Sequence, residues 1–356
     1  MTSARPTRRR ATHILAGLTA IALGLAACGE ATTTAEQHPA TAGANDPRAL
    51  TGLSEVADLP EPEPLSTNPT PQLPTSLTDA DGTDVTVTDI SRIIALDIYG
   101  NYTKTLLGLG LGPNIVGRTV SSTEPSLKDL PEVTKGGHVI NPEAVLQLEP
   151  TLVIVDHSIG PREAIDQLRA AGVTVVVMDP GHSIDSVAAD ITAVANVVGL
   201  PEQGAELARR AEEDMDTSAA AIKEMAPADP LRMVFLYARG NGGIFFILGS
   251  GTGAKDLITS IGGTDVATDG GVEGTAPATA EALAALNPEV IVMMHDGLTS
   301  AGGMEGLLAR PGVAQTIAGQ NQRVISLPDG QSLAFGPQTG ELMRRTAAAV
   351  YQPGGN

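Results

Sequence analysis

Two stretches of this chain, Glu143 to His157 (EAVLQLEPTLVIVDH) and Glu281 to His295 (EALAALNPEVIVMMH), align without a gap at a constant offset of 138 residues. Each begins with helical periodicity, passes a proline (Pro150, Pro288) and ends in an apolar run, the pattern of a helix leading into a buried strand. Alanine- and leucine-rich helices resemble one another by chance. The Glu, Leu, Pro and His shared in register make duplication the better explanation. A chain that carries the same αβ unit twice is constrained to two similar halves.

The surrounding sequence agrees. From Ser76 strands and helices alternate: Arg92 to Leu96, Leu152 to Val155 and Val173 to Met178 read as strands, with Tyr102 to Leu109, Pro142 to Leu148 and Arg162 to Ala171 as helices. The near-continuous β-branched residues of Val173 to Met178 suit a parallel sheet buried on both faces. Ser183 to Val198 and Glu202 to Met225 are helical with no strand between them; the second, long and charged, reads as a connecting helix. Alternation then resumes from Met233 to a last helix at Thr339 to Tyr351. The fold class expected is α/β: two similar lobes with mostly parallel sheets, joined by a long connecting helix, with a ligand cleft between them. The expected boundaries are 76–200 for the first lobe, 201–228 for the connecting helix and 229–356 for the second lobe.

The N-terminal part is of another kind. Arg5, Arg8, Arg9 and Arg10 precede an apolar run from Ile14 to Leu25 that is shorter than the ~20 residues of a membrane span. Residues 1–27 read as a signal peptide that ends at Leu25-Ala26-Ala27-Cys28, which resembles the bacterial lipoprotein box. The resemblance implies cleavage before Cys28, the sole cysteine, and attachment of a lipid to its sulfur outside the cytoplasmic membrane. Arg8-Arg9 leaves twin-arginine export open beside general secretion. Residues 28–75, rich in Thr, Ala, Pro and Glu, are expected to be a flexible tether. Losing residues 1–27 removes four Arg and no acid, which takes the formal charge from −19 to −23. Such an acidic surface argues against nucleic acid and against direct contact with anionic lipid.

Only four Tyr and no Trp occur in the chain, so the Tyr237-Ala238-Arg239 at the end of a predicted strand stands out. Residues two apart on a strand leave the same face. A guanidinium beside a phenol favours its ionised form, and a phenolate is an axial ligand for haem iron. The same tyrosine could also be a strand-end anchor.

RIIALDIYGNYTKTLLGLGLGPNIVGR, GGHVINPEAVLQLEPTLVIVDH, LRAAGVTVVVMD and LNPEVIVMM resemble the substrate-binding proteins of bacterial ABC importers for metal chelates: ferric siderophores, cobalamin and haem. The likeness runs from about Leu77 to the C-terminus. Within it, Gly136-Gly137-His138 and Tyr237-Ala238-Arg239 look like the actinobacterial haem-importer lipoproteins, where a His from one lobe and a Tyr from the other ligate the iron. The resemblance implies His138 and Tyr237 as iron ligands, Arg239 hydrogen-bonded to the phenolate, Gly137 permitting close approach and Met294 as a pocket contact. Met293-Met294 ends an apolar strand, and alternation turns only one of the two toward the cleft. Glu143 and Glu281, matched across the repeat, are implied as docking points for the permease; as first-turn acids they would also complement helix dipoles.

His157 and His295, matched at the strand ends, more readily serve the shared fold than a metal pair. His38 and His182 have no evident partner in sequence. Gly249 to Lys255 lacks the spacing of a phosphate loop and reads as a turn at a helix start that lines the pocket. The functional expectation is a monomeric, non-enzymatic, lipid-anchored carrier of haem b, with an ABC permease and its ATPase as partners and a haem donor protein as a further one. A ferric-siderophore or cobalamin carrier is the alternative within the class, and a haem storage or redox protein the alternative outside it. A hydrolase is disfavoured because no G-x-S-x-G occurs.

Overall fold

The computed structural model describes residues 46–352, apart from Gly136, His138, Pro180 and Gly242. Cys28, the leader and the first part of the tether therefore lie outside the described residues, as does His138.

The chain begins with strands β1 (Leu53–Glu55), β2 (Thr75–Thr78), β3 (Asp84–Val87) and β4 (Ile93–Leu96) and helix α1 (Asn101–Gly108). Next come β5 (Ile115–Gly117), β6 (Thr134–Lys135), β7 (Val139–Ile140), α2 (Pro142–Gln147), β8 (Leu152–Val155), α3 (Arg162–Ala170), β9 (Thr174–Val177) and α4 (Val187–Val197). Strands β5, β4, β8 and β9, in that order, form an all-parallel sheet. Its central strands are buried on both faces, which is why they are built from Ile, Leu, Val and Ala without polar alternation.

Helix α5 (Pro201–Met225) follows, packed on α4 on one side and on the C-terminal helix on the other. The second lobe then contains β10 (Arg232–Arg239), β11 (Ile244–Leu248), α6 (Ala254–Ser260), β12 (Thr264–Asp265), α7 (Val266–Asp269), β13 (Thr275–Pro277) and α8 (Ala280–Leu286). It ends with β14 (Val290–Met294), α9 (His295–Ser300), α10 (Gly303–Leu308), α11 (Ile317–Gln320), β15 (Val324–Leu327) and α12 (Thr339–Tyr351). Strands β15, β14 and β10 are parallel; β11 and β13 extend the sheet antiparallel.

The duplicated unit is the same in both lobes. Asn141 caps α2 by accepting from the Ala144 N–H, and Thr279 caps α8 by accepting from the Ala282 N–H. Strand β8 lies between β4 and β9, as β14 lies between β10 and β15. Ile93 faces Leu152 as Met233 faces Val290, so Asp97 and Tyr237 occupy equivalent positions at the carboxyl ends of β4 and β10. His157 and His295 have fold roles: His157 Nε2 meets Asp81 at 2.8 Å, while His295 bonds Ser326 Oγ at 2.5 Å and the Val56 carbonyl at 3.1 Å.

The expectation of a flexible tether up to residue 75 is corrected for residues 46–75. Strand β1 pairs in parallel with β15 and forms an edge of the second-lobe sheet. Val56 and Leu59 are buried, and the Gln331 amide clamps both the N–H and the carbonyl of Leu59, at 2.7 and 3.1 Å. Beyond them Gln338 reaches the Pro60 carbonyl, Arg210 the Glu63 carbonyl, and Gln72 N–H the Gly199 carbonyl. An extended proline-rich backbone leaves its carbonyls free to accept, so a strap of few apolar residues can still be fixed along its length.

Candidate ligand site at the carboxyl ends of the strands

In parallel α/β sheets the carboxyl ends of the strands are where ligands bind, and Tyr237, Arg239 and Met294 gather there. Strand β10 ends with Tyr237 and Arg239; in the antiparallel pairing with β11 they stand opposite Phe246 and Ile244. Opposite residues share a face, so Tyr237, Arg239, Phe246 and Ile244 form one surface. Deeper on that face, Phe235 and Leu248 enter the core. Tyr237, Arg239 and Phe246 are half-buried and Ile244 is exposed.

Arg239 is the hub. Its guanidinium lies 4.8 Å from the Tyr237 ring centroid, over the ring. Nη2 donates to Asp329 Oδ1 at 2.6 Å and to Met294 Sδ at 3.4 Å, and Nη1 donates to the Ala238 carbonyl at 2.9 Å. The contact with Tyr237 thus runs through the ring face. Asp329 is itself fixed by the Asp296 N–H at 2.8 Å. Burial pushes the Asp329 carboxyl above its ordinary value, against the Asp296 hydrogen bond and the Arg239 charge. Of the two methionines, Met293 is fully buried in the core on the far side, and Met294 is half-exposed beside Arg239.

On the first lobe, β6 and β7 form a hairpin with Lys135 opposite Val139. Gly137, between them at φ +83°, lies where only glycine is unstrained, and a Cβ there would stand 3.2 Å from Val120 Cγ1. His138 is outside the described residues. Val139 bridges to Gly160, and Ile140 N–H donates to the Gly160 carbonyl at 2.6 Å, which ties this hairpin to the segment after β8. An open cleft of about 750 Å³ lies there, lined by Val139, His157, Ser158, Ile159, Gly160, Pro161 and Arg162. Its lining comes entirely from the first lobe.

The loop from Pro328 to Phe335 joins the lobes below the site. Lys104 and Glu124, both buried, pair at 2.5 Å, and Lys104 Nζ also donates to the Gly330 carbonyl at 2.8 Å. A methyl at Gly330 would collide with Thr123 Oγ1 and the Ser121 carbonyl. His182, partnerless in sequence, stacks between Tyr99 (3.6 Å) and Phe335 (4.8 Å). Burial pushes its imidazole down to about 4, partly offset by a hydrogen bond to the Leu333 backbone. The turn at Gly249 to Gly253 abuts this stack: a Cβ at Gly253 would meet His182 and Phe335.

Sequence reasoning missed Asp329, Phe246, Ile244 and the Tyr99–His182–Phe335 stack. The hairpin pairs were recoverable from the turn at Gly240 to Gly243; Asp329 and the stack carry no local signal. Glu143 and Glu281 are both exposed in the first turns of α2 and α8. Among the described residues no helix is long and apolar enough to cross a membrane.

Known proteins agree with this architecture. An uncharacterized ABC transporter substrate-binding lipoprotein of Bacillus subtilis, YvrC, is 26% identical over 305 residues, 85% of this chain and 93% of that protein. The vitamin B12-binding protein of Yersinia pestis is 29% identical over 126 residues, 35% of this chain and 44% of that protein. The crystal structure of the heme binding protein HmuT matches at 60% identity with a TM-score of 0.85, covering 86% of this chain and 99% of that one. Variant structures of HmuT replace with alanine a tyrosine, the arginine two positions after it, and a histidine 99 positions before that tyrosine. His138, Tyr237 and Arg239 have the same separations in this chain. The model of the periplasmic binding protein family matches residues 97–330, and this chain belongs to that family.

Proposed function

We propose that this protein binds haem outside the cytoplasmic membrane and delivers it to an ABC permease, and that it has no catalytic activity of its own. His138 from the first lobe and Tyr237 from the second ligate the ferric iron, with Arg239 over the Tyr237 ring and Met294 at the side. The observation that carries this reading is where exposed apolar surface lies. Among the described residues the large apolar side chains that stand exposed are Leu53, Val120, Val139, Ile244 and Ile317. Three of them flank the candidate ligands: Val139 follows His138, Val120 packs on Gly137, and Ile244 stands opposite Arg239. A flat apolar macrocycle needs such walls, and exposing them without a ligand is costly in water. The likeness to HmuT supports the same ligand and the same three residues.

Cys28 carries the lipid anchor, and the membrane is met only through it. The protein acts as a monomer, and Glu143 and Glu281 dock on the permease, whose ATPase drives uptake; a separate donor hands haem over. The test is to add hemin to the purified chain without residues 1–28, which retains every described residue, and to record visible spectra beside Tyr237→Ala and His138→Ala. A ferric Tyr/His spectrum altered in both variants supports the reading. Failure of hemin to shift the Soret band, with tight binding of a ferric siderophore instead, would sink it.

A further inference from the structure

The first-lobe cleft lined by Val139 and the segment after β8 has a chemistry of its own. Val139, Ile159 and Pro161 give it apolar walls, and Arg162 stands at its rim as the first residue of α3. Arg162 is 64% exposed and uses only Nη2 within the protein, donating to Asp81 Oδ1 at 2.8 Å. Among the described residues its Nε and Nη1 have no partner.

Asp81 occupies only one corner of this guanidinium. The same Oδ1 meets His157 Nε2 at 2.8 Å, and Oδ2 accepts from Arg169 Nη1 at 3.3 Å. Arg169 also binds Asp79 at 2.7 Å. Two guanidinium groups therefore share three carboxylates, Asp79, Asp81 and Asp166, and Asp81 fixes one corner of Arg162 while the rest of its fork is open. A planar fork with free N–H groups recognises a carboxylate by parallel hydrogen bonds. Apolar walls with one such cation at the rim suit an apolar body that carries a carboxylate.

We infer that this cleft is the subsite for a carboxylate-bearing edge of the ligand, with Arg162 as the specificity-determining residue. The inference rests on the haem reading above: Val139, which lines the cleft, directly follows His138 in the sequence, and the carboxylates are the propionates of the macrocycle. His157 acts as a positioning residue, holding Asp81 and through it the Arg162 side chain.

The test compares hemin with hemin dimethyl ester, whose carboxylates are capped, on the chain without residues 1–28. Wild type is expected to bind hemin about tenfold more tightly than the ester, the discrimination of a charge-assisted pair discounted for exposure. Arg162→Ala should lose that factor for hemin and leave the ester unchanged. Arg162→Lys, which keeps the charge and loses the fork, should fall between. Because Arg162 is exposed, a folding defect is not expected, and ester binding reports directly on an intact site. An Arg162→Ala protein that still prefers hemin by the wild-type ratio overturns the inference and leaves the haem reading standing. A wild type that binds neither compound overturns both.

Discussion

Asp329 holds the Arg239 guanidinium at 2.6 Å while the same guanidinium lies over the Tyr237 ring, 4.8 Å from its centroid. The residue two after Asp329's neighbour Gly330 is Ser332, and Gly330 itself is clamped by Lys104 of the first lobe. One short loop thus touches both the side chain beside the candidate iron ligand and the base of the opposite lobe.

Removing the Asp329 carboxylate leaves Arg239 with the Tyr237 ring, Met294 and the Ala238 carbonyl. Asp329→Ala is expected to weaken hemin binding roughly tenfold, equivalent to about 1.4 kcal/mol. Titration followed at the Soret band measures it; wild-type affinity in this variant would show that Arg239 needs no such support.

Glu143 and Glu281 are exposed in the first turns of helices capped at equivalent positions by Asn141 and Thr279, and neither contacts the candidate ligand residues in any described hydrogen bond or ion pair. The double variant Glu143→Ala/Glu281→Ala should therefore bind hemin as wild type does. With the permease and ATPase in liposomes, it should fail to stimulate ATP hydrolysis. Normal stimulation would remove the docking role.

The strap before residue 76 contributes to folding. A chain that starts at residue 76 loses buried Val56 and Leu59, each worth about 1.5–3 kcal/mol, and uncovers the edge of β15. Its thermal midpoint should fall by many degrees and gel filtration should show association. An unchanged midpoint would mean the strap is only laid on the surface.

Two buried groups give stability opposite pH slopes. Burial, reinforced by Asp156, pushes Asp97 from 3.8 up to about 7. The unfolded carboxyl ionises first, so this contribution is present at acid pH and is lost as pH rises through about 3.8 to 7. Asp97→Asn should gain stability over wild type at pH 7.5, by at most about 4 kcal/mol, and gain little at pH 4. His182, pushed down to about 4, contributes stability that is present above pH 6.5 and lost as pH falls toward 4. His182→Phe, which keeps the stack, should flatten that acid-side loss. Thermal midpoints across pH 4 to 8 separate the two; parallel curves for wild type and variants would refute both assignments.

The duplicated αβ unit, the long helix and the strand cores were legible in the sequence because each follows from a local period: 3.6 residues for helix faces, and unbroken apolar runs for strands buried on both sides. Strand β8 and helix α12 have the boundaries that these periods predict. The same-face geometry of Tyr237 and Arg239 was also local, set by the alternation of a strand. Tertiary structure alone decided that Asp329, 90 residues on, grips Arg239, that Met294 and not Met293 stands beside it, and that His182 joins the lobes between Tyr99 and Phe335. It also turned a proline-rich stretch into an edge strand and a strap. Those contacts depend on where folded elements bring distant residues together, and a composition or a period records nothing of that.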